Sequence, residues 1–254
     1  VVRNIASKMS TRGVFSLWRD EFWADDRSIE NLISEGILVS SDTKITFVHQ
    51  SFLDFFVVAG YLEDIYDRKS MIDFIGDRDC QTPNLRYRFF VLMQELCECD
   101  DALFVEQAER ILNSDRARYY YQCIVFDVAA QQAAPSDKLC SFVEEYWNAP
   151  AWHEYIYQVV YMGNYPLIRH LVDAKKVDVC TGEGMDLLRS ISAKAPDYVA
   201  KVLRPYCFQK PELDKRLFQC LNMDVDKDSA AMYQLRQELF EKYPELLVDA
   251  CYIY

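Results

Sequence analysis

Hydrophobic positions recur at three- and four-residue steps over most of this chain, with one short stretch that alternates instead. In "STRGVFSLWRDEFW" the spacing of Val14, Leu17, Trp18 and Phe22 predicts a helix. A second helix, "RSIENLISEG", presents Ile29, Leu32 and Ile33 on one face. Asp25 or Asp26 is placed to cap its start, and Gly36 stands where a helix-ending residue belongs. "ILVSSDTKITFV" then sets two β-rich runs around the polar turn Ser40–Ser41–Asp42–Thr43, which predicts a hairpin over 37–48. From about Gln50 a long helix follows. Phe52, Phe55, Phe56, Ala59 and Leu62 form one stripe, and Leu53, Val57 and Tyr61 cover much of the rest. A helix apolar nearly all round is buried on several sides, which places these phenylalanines in the core.

With a helix already under way at residue 1, the order is three helices, a two-stranded wing and one more helix. That is the order of a winged helix, over residues 1–66. Beyond it come helix-length segments at about 69–78, 84–98, 101–113, 115–132, 137–148, 150–162, 164–175, 183–193, 196–205, 210–222 and 226–243. Breaks fall at Thr82–Pro83, Ala134–Pro135, Ala149–Pro150 and Ala195–Pro196. The predicted fold is therefore mainly α. A winged-helix domain (1–66) is followed by an antiparallel, α-solenoid-like array (67–254), HEAT- or TPR-like or irregular. No clean period is legible in that array. "MGNYPLIRHLVDAKKVDV" resembles a single ankyrin-like hairpin, with no second copy.

Composition narrows the function. The chain has 254 residues, of which 51% are hydrophobic, so it can bury a sizeable core. Seven glycines and eight prolines suit helices joined by short connections. A net charge of −12 disfavours nucleic acid as a partner, because phosphate contacts supply most of that affinity. Nine irregularly spaced cysteines fit reduced thiols in a cytoplasmic protein better than a disulfide framework. No run of 18 apolar residues predicts a membrane span. The absence of an initiating Met and of a signal peptide, with a helix already begun, is the pattern expected of a piece of a longer protein.

Few residues carry candidate chemistry. Cys97 and Cys99 lie two apart on a helix and point in opposite directions, so with Cys80 they form no zinc site. Tyr119–Tyr121, Trp147, Trp152 and Tyr155 read as fillers of helix–helix interfaces. Glu144–Glu145 and Asp100–Asp101 read as solvated faces and N-caps. His153 and His170 show no nucleophile or carboxylate arrangement in sequence, and no catalytic constellation is evident. His49 differs. It falls where a strand ends and a helix begins, where free backbone N–H groups and the helix dipole favour an anion. The competing reading is a histidine satisfied by a backbone carbonyl.

The stretch "ITFVHQSFLDFFVVAGYL" resembles the Phe-x-His-x-x-Phe-x-Glu-Phe/Tyr-x-Ala-Ala-x-x-Leu signature that closes the winged-helix domain of NACHT-type STAND NTPases. Phe47, His49, Phe52, Phe55, Ala59 and Leu62 match it; Asp54 replaces the usual Glu and Val58 the first Ala. "LISEGILVSSDTKITF" is similar to the family's third helix and wing, so the resemblance covers about residues 3–66. It implies a signalling NTPase of the kind found in innate-immune and anti-phage defence. It also implies that His49 contacts the β-phosphate of ADP in the closed state, and that the helical region after the winged helix senses a protein trigger. The glycines Gly13, Gly36, Gly60, Gly76, Gly163, Gly182 and Gly184 lie in no G-x-x-x-x-G-K-[ST] frame. The nucleotide-hydrolysing domain, with its ADP or ATP and Mg, is thus expected upstream, and this chain is expected to be no enzyme and to hold no cofactor by itself. Two other readings stay open: a winged-helix transcription regulator with a helical ligand-binding domain, and a stand-alone helical adaptor. Against the first, residues 11–39 carry three basic and six acidic side chains.

Overall fold

In the computed structural model, which describes residues 1–41, 43–162, 164–221 and 229–246, helix α1 (Val2–Arg12) buries Ile5, Ala6 and Met9. It stops at Gly13, whose left-handed φ of 64° lets Val14 N–H reach back to the Met9 carbonyl at 3.0 Å. The next residues are not the helix their spacing predicts. Ser16–Trp18 form strand β1, and Arg19–Asp25 wind into 3₁₀ turns. The reason is a distant partner: β1 pairs antiparallel with β3 (Lys44–Phe47), Leu17 opposite Ile45 and Trp18 opposite Lys44. Leu17 points into the core, whereas Trp18 stays outside under the Lys44 ammonium.

Helix α2 (Asp26–Ser34) follows. Gly36 takes φ 71° at its end, with Ile37 N–H bonded to the Leu32 carbonyl, as the sequence predicts. Strand β2 (Leu38–Ser41) pairs with the other edge of β3, so the sheet is three-stranded in the order β1-β3-β2, not the isolated two-stranded wing expected. Asp42, at the tip of the predicted hairpin, lies outside the described residues. A single apolar cluster joins Met9 of α1, Ile29 of α2, Leu38 and Ile45 of the sheet, and Leu53 and Val57 of helix α3 (Gln50–Tyr66). The fold is mainly α with this small winged-helix-like sheet.

Two compact units divide the chain, Val1–Val128 and Ala129–Tyr254. Within the first unit, α3 packs against α5 (Pro83–Cys99) as well as against α1. Helices α4 (Met71–Ile75) and α6 (Asp101–Leu112) complete this packing, together with the first turns of α7 (Tyr119–Gln131). Phe89 is wholly buried there, with the Tyr121 ring edge-on at 5.1 Å. Thr82 caps α5 through Leu85 N–H, and Pro83 opens it where its missing N–H costs nothing. Two buried amides fasten the loops: Gln107 accepts from Met71 N–H at 3.0 Å, and Gln81 accepts from Arg118 N–H at 3.1 Å while donating to the Arg116 carbonyl at 2.8 Å.

The second unit contains α8 (Asp137–Trp147), α9 (His153–Tyr161), α10 (Tyr165–Asp173), α11 (Gly182–Ile191), α12 (Pro196–Leu203), α13 (Pro211–Phe218) and α14 (Ala230–Lys242). Helices α9, α11 and α13 begin at 153, 182 and 211, so each start lies 29 residues after the last. Their partners α10, α12 and α14 begin at 165, 196 and 230, spacings of 31 and 34. A hairpin repeat is therefore present where no period is legible in the sequence. Its connections change length, and one repeated position holds Ile156, Met185 and Asp214 in turn, all buried. Gly184 marks a close approach between successive hairpins: a Cβ there would lie 2.2 Å from the Asp178 carbonyl oxygen.

Candidate functional site

The start of α3 is the site the sequence singles out. β3 ends at Phe47, and Val48 N–H still bonds to the Ile37 carbonyl at 3.0 Å. The next residue, His49, keeps extended dihedrals (φ −137°, ψ 144°) and is the N-cap of α3. Its Nδ1 accepts from Ser51 N–H at 3.2 Å and lies 2.8 Å from Ser51 Oγ. A backbone N–H can only donate, so Nδ1 is the acceptor and the ring proton sits on Nε2. The ring is exposed, not buried among core side chains. A donor N–H is thus left available beside a helix N-terminus, where the backbone dipoles favour negative charge. The arrangement departs from expectation in one respect: Ser51 N–H, one of the amides available to an anion, is already used by the imidazole.

Beside His49 the phenylalanines are not the core residues that the stripe predicts. Phe55 is 61% exposed and Phe52 38%. Only Phe56 packs against the core, with its ring 5.9 Å from Phe47 and 5.2 Å from Phe55. Leu53, Val57, Val58 and Ile65 are the side chains that α3 buries. Phe52 and Phe55 form one wall of a groove of about 490 Å³ whose opposite wall is Tyr87 and Val91 of α5. At the groove, Asp54 accepts from Arg88 Nε at 2.6 Å, and Arg88 Nη1 donates to Ser10 Oγ at 3.0 Å. Both charged side chains are largely buried, so this pair ties α3 to α5 and to the end of α1. Asp54 is the residue that stands in place of the resembled family's Glu.

The other two histidines have partners that the sequence does not reveal, because those partners lie on neighbouring helices. His170 Nε2 meets Glu144 Oε2 at 2.8 Å, and Lys176 Nζ lies 3.1 Å from Glu144 Oε1. The Lys176 hydrogen bond first, and the His170 bond second, hold the Glu144 carboxyl below its ordinary range. A carboxyl lowered in the folded state contributes stability above the unfolded-state value of about 4.3, and that contribution disappears as pH falls through the folded value. Glu144→Gln is therefore expected to be less stable than the parent in urea unfolding at pH 7 and equal to it near the acid limit of folding. A stability gap independent of pH would contradict this. His153 lies 2.8 Å from the Trp147 carbonyl through Nδ1. Its Nε2 is 2.8 Å from Glu183 Oε1 without hydrogen-bond alignment.

The remaining candidates fall into structural roles. Asp100 caps α6 through Leu103 N–H at 2.9 Å. Tyr121 and Trp147 are buried, while Tyr119 is 59% exposed rather than an interface filler. Burial pushes the Cys97 thiol up to about 12, and Cys80 and Cys99 are exposed. Among the described residues no three His, Cys, Asp or Glu side chains gather into a metal-holding group, and no helix is long and apolar enough to cross a membrane. Comparison with protein-family models, with curated proteins and with solved structures gives no match.

Proposed function

We propose that this chain is the winged-helix and helical sensor region of a nucleotide-switched signalling NTPase of the NACHT-type STAND class. In this reading His49 holds a phosphate of ADP supplied by an upstream nucleotide-binding domain, and so favours the closed, resting form. The helical region after the winged helix recognises a protein trigger, in the setting of innate or anti-phage defence. The observation that carries the reading is the state of His49: an exposed ring whose Nδ1 is spent on its own helix and whose Nε2–H remains available. The exposed Phe52 and Phe55 next to it support a docking face for another domain. A transcription regulator is disfavoured at the helix that would enter DNA, because Arg19 is drawn into ion pairs with both Asp26 and Glu30 of α2.

By itself the chain is expected neither to turn over ATP nor to retain ADP, since one imidazole N–H is a single phosphate contact. The deciding experiment is to read the coding sequence upstream of Val1. A strand–loop–helix segment bearing G-x-x-x-x-G-K-[ST] is the expected result. An upstream sequence with no such phosphate-cradling loop would overturn the proposal.

A further inference from the structure

A second groove, of about 540 Å³, lies in the second compact unit between α10 and α12. Its floor is apolar, from Val172, Val202 and the ring of Tyr206. Its charges are unevenly committed. Asp173 accepts from the Tyr198 hydroxyl at 3.0 Å and lies 3.4 Å from Arg169 Nε. Asp178 accepts from Cys180 N–H at 2.9 Å within its own turn. Lys175 and Lys201, both exposed, meet no carboxylate among the described residues. With Asp173 paired to Arg169, the groove is left with Lys175 and Lys201 against Asp178, one positive charge in excess, in a chain whose net charge is −12.

Lys175 is also in a costly conformation. Its φ is 57°, at the turn where Lys176 N–H closes α10 onto the Leu171 carbonyl at 2.9 Å. Glycine is the ordinary residue there, because it has no Cβ to strain. Strain retained at a charged residue on the rim of a groove points to use of that charge.

We propose that the groove between α10 and α12 binds an acidic peptide segment of a partner protein, with an apolar side chain on the Val172–Val202–Tyr206 floor and carboxylates on Lys175 and Lys201. The inference goes beyond the reading of His49 and stands or falls separately from it. The test is selection of a random decapeptide phage library on the whole chain, followed by fluorescence polarisation with the most enriched peptide, labelled with fluorescein. The selected pool is expected to be rich in Asp and Glu flanking Leu, Ile, Val or Phe. Binding should weaken as NaCl rises from 50 to 500 mM, because the contacts are at the surface. The double variant Lys175→Gly/Lys201→Ala removes both charges and relieves the strained turn. It is expected to melt no lower than the parent, yet to bind the peptide about tenfold more weakly, the scale of one to two charged contacts at a rim. A pool with no enrichment in acidic residues would overturn the proposal. So would unchanged binding by the folded double variant, or loss in that variant of binding to phosphatidylserine vesicles or oligo-dT when no acidic peptide is selected.

Discussion

Arg88→Met is expected to destabilise the first compact unit by about 3 kcal/mol, the lower end of what breaking a buried ion pair costs. The Arg88 and Asp54 side chains are 11% and 16% exposed, and their Nε–Oδ1 separation is 2.6 Å. Removing the guanidinium takes away the charged partner of the largely buried Asp54 carboxylate. Among the described residues Gln50 Nε2, at 3.1 Å, is its one remaining side-chain donor, which holds the loss below the upper end of the range. Ser10 Oγ loses a donor as well. The second half of the test is the double variant Arg88→Met/Asp54→Leu, in which no orphaned charge remains. It is expected to recover most of the loss, because a buried pair replaced by apolar groups of similar size is near neutral. Urea unfolding of the parent, both single variants and the double variant checks this. Additive losses would show that the two groups do not act as a pair.

Asp214→Met should be nearly as damaging, although methionine is what the same repeat position carries one hairpin earlier, at Met185. Asp214 is fully buried and spends its carboxylate on two donors, Phe208 N–H at 2.7 Å and the Tyr243 hydroxyl at 2.6 Å. Phe208 itself is held at φ 67°, so that turn depends on its bond to Asp214. The bond to Asp214 first, and burial second, push the Tyr243 hydroxyl above its ordinary value, which keeps it a donor. Methionine supplies apolar contact but leaves both donors unsatisfied, at a cost of about 3 kcal/mol. A melting temperature lowered by about 6–12 °C is expected on that scale. An unchanged or raised value would mean that the position asks only for an apolar side chain, as Ile156 and Met185 suggest.

What the sequence reveals and what it hides follow from the range of the forces involved. Gly36, Thr82–Pro83 and Asp100 act on their own turns, so they are legible from local chemistry and lie at helix ends in the structure. β1 is not legible, because Leu17 and Trp18 become a strand only by pairing with Ile45 and Lys44, far along the chain. Periodicity places Phe52 and Phe55 on one side of α3 but says nothing of what covers that side, and they are exposed. The 29-residue recurrence of α9, α11 and α13 is hidden because packing preserves burial at Ile156, Met185 and Asp214, not residue type. At the candidate site, the place of His49 is legible from the strand–helix junction. Its role as N-cap is not, since histidine is not among the side chains that ordinarily cap helices.

That capping role decides how the phosphate proposal is best tested. His49→Ala would remove both the cap and the outward N–H, and would cost about 1 kcal/mol of folding stability through the cap alone. His49→Asn keeps a capping oxygen for Ser51 N–H and removes the imidazole donor. In the longer, ADP-binding protein that the proposal requires, the decisive measurement is the rate at which a fluorescent ADP analogue dissociates from the His49→Asn variant, compared with the parent. A hydrogen bond to a charged group is worth about 1.5–3 kcal/mol, so dissociation is expected to quicken by roughly ten- to a hundredfold. An unchanged rate in a variant that melts with the parent would contradict the phosphate contact at His49.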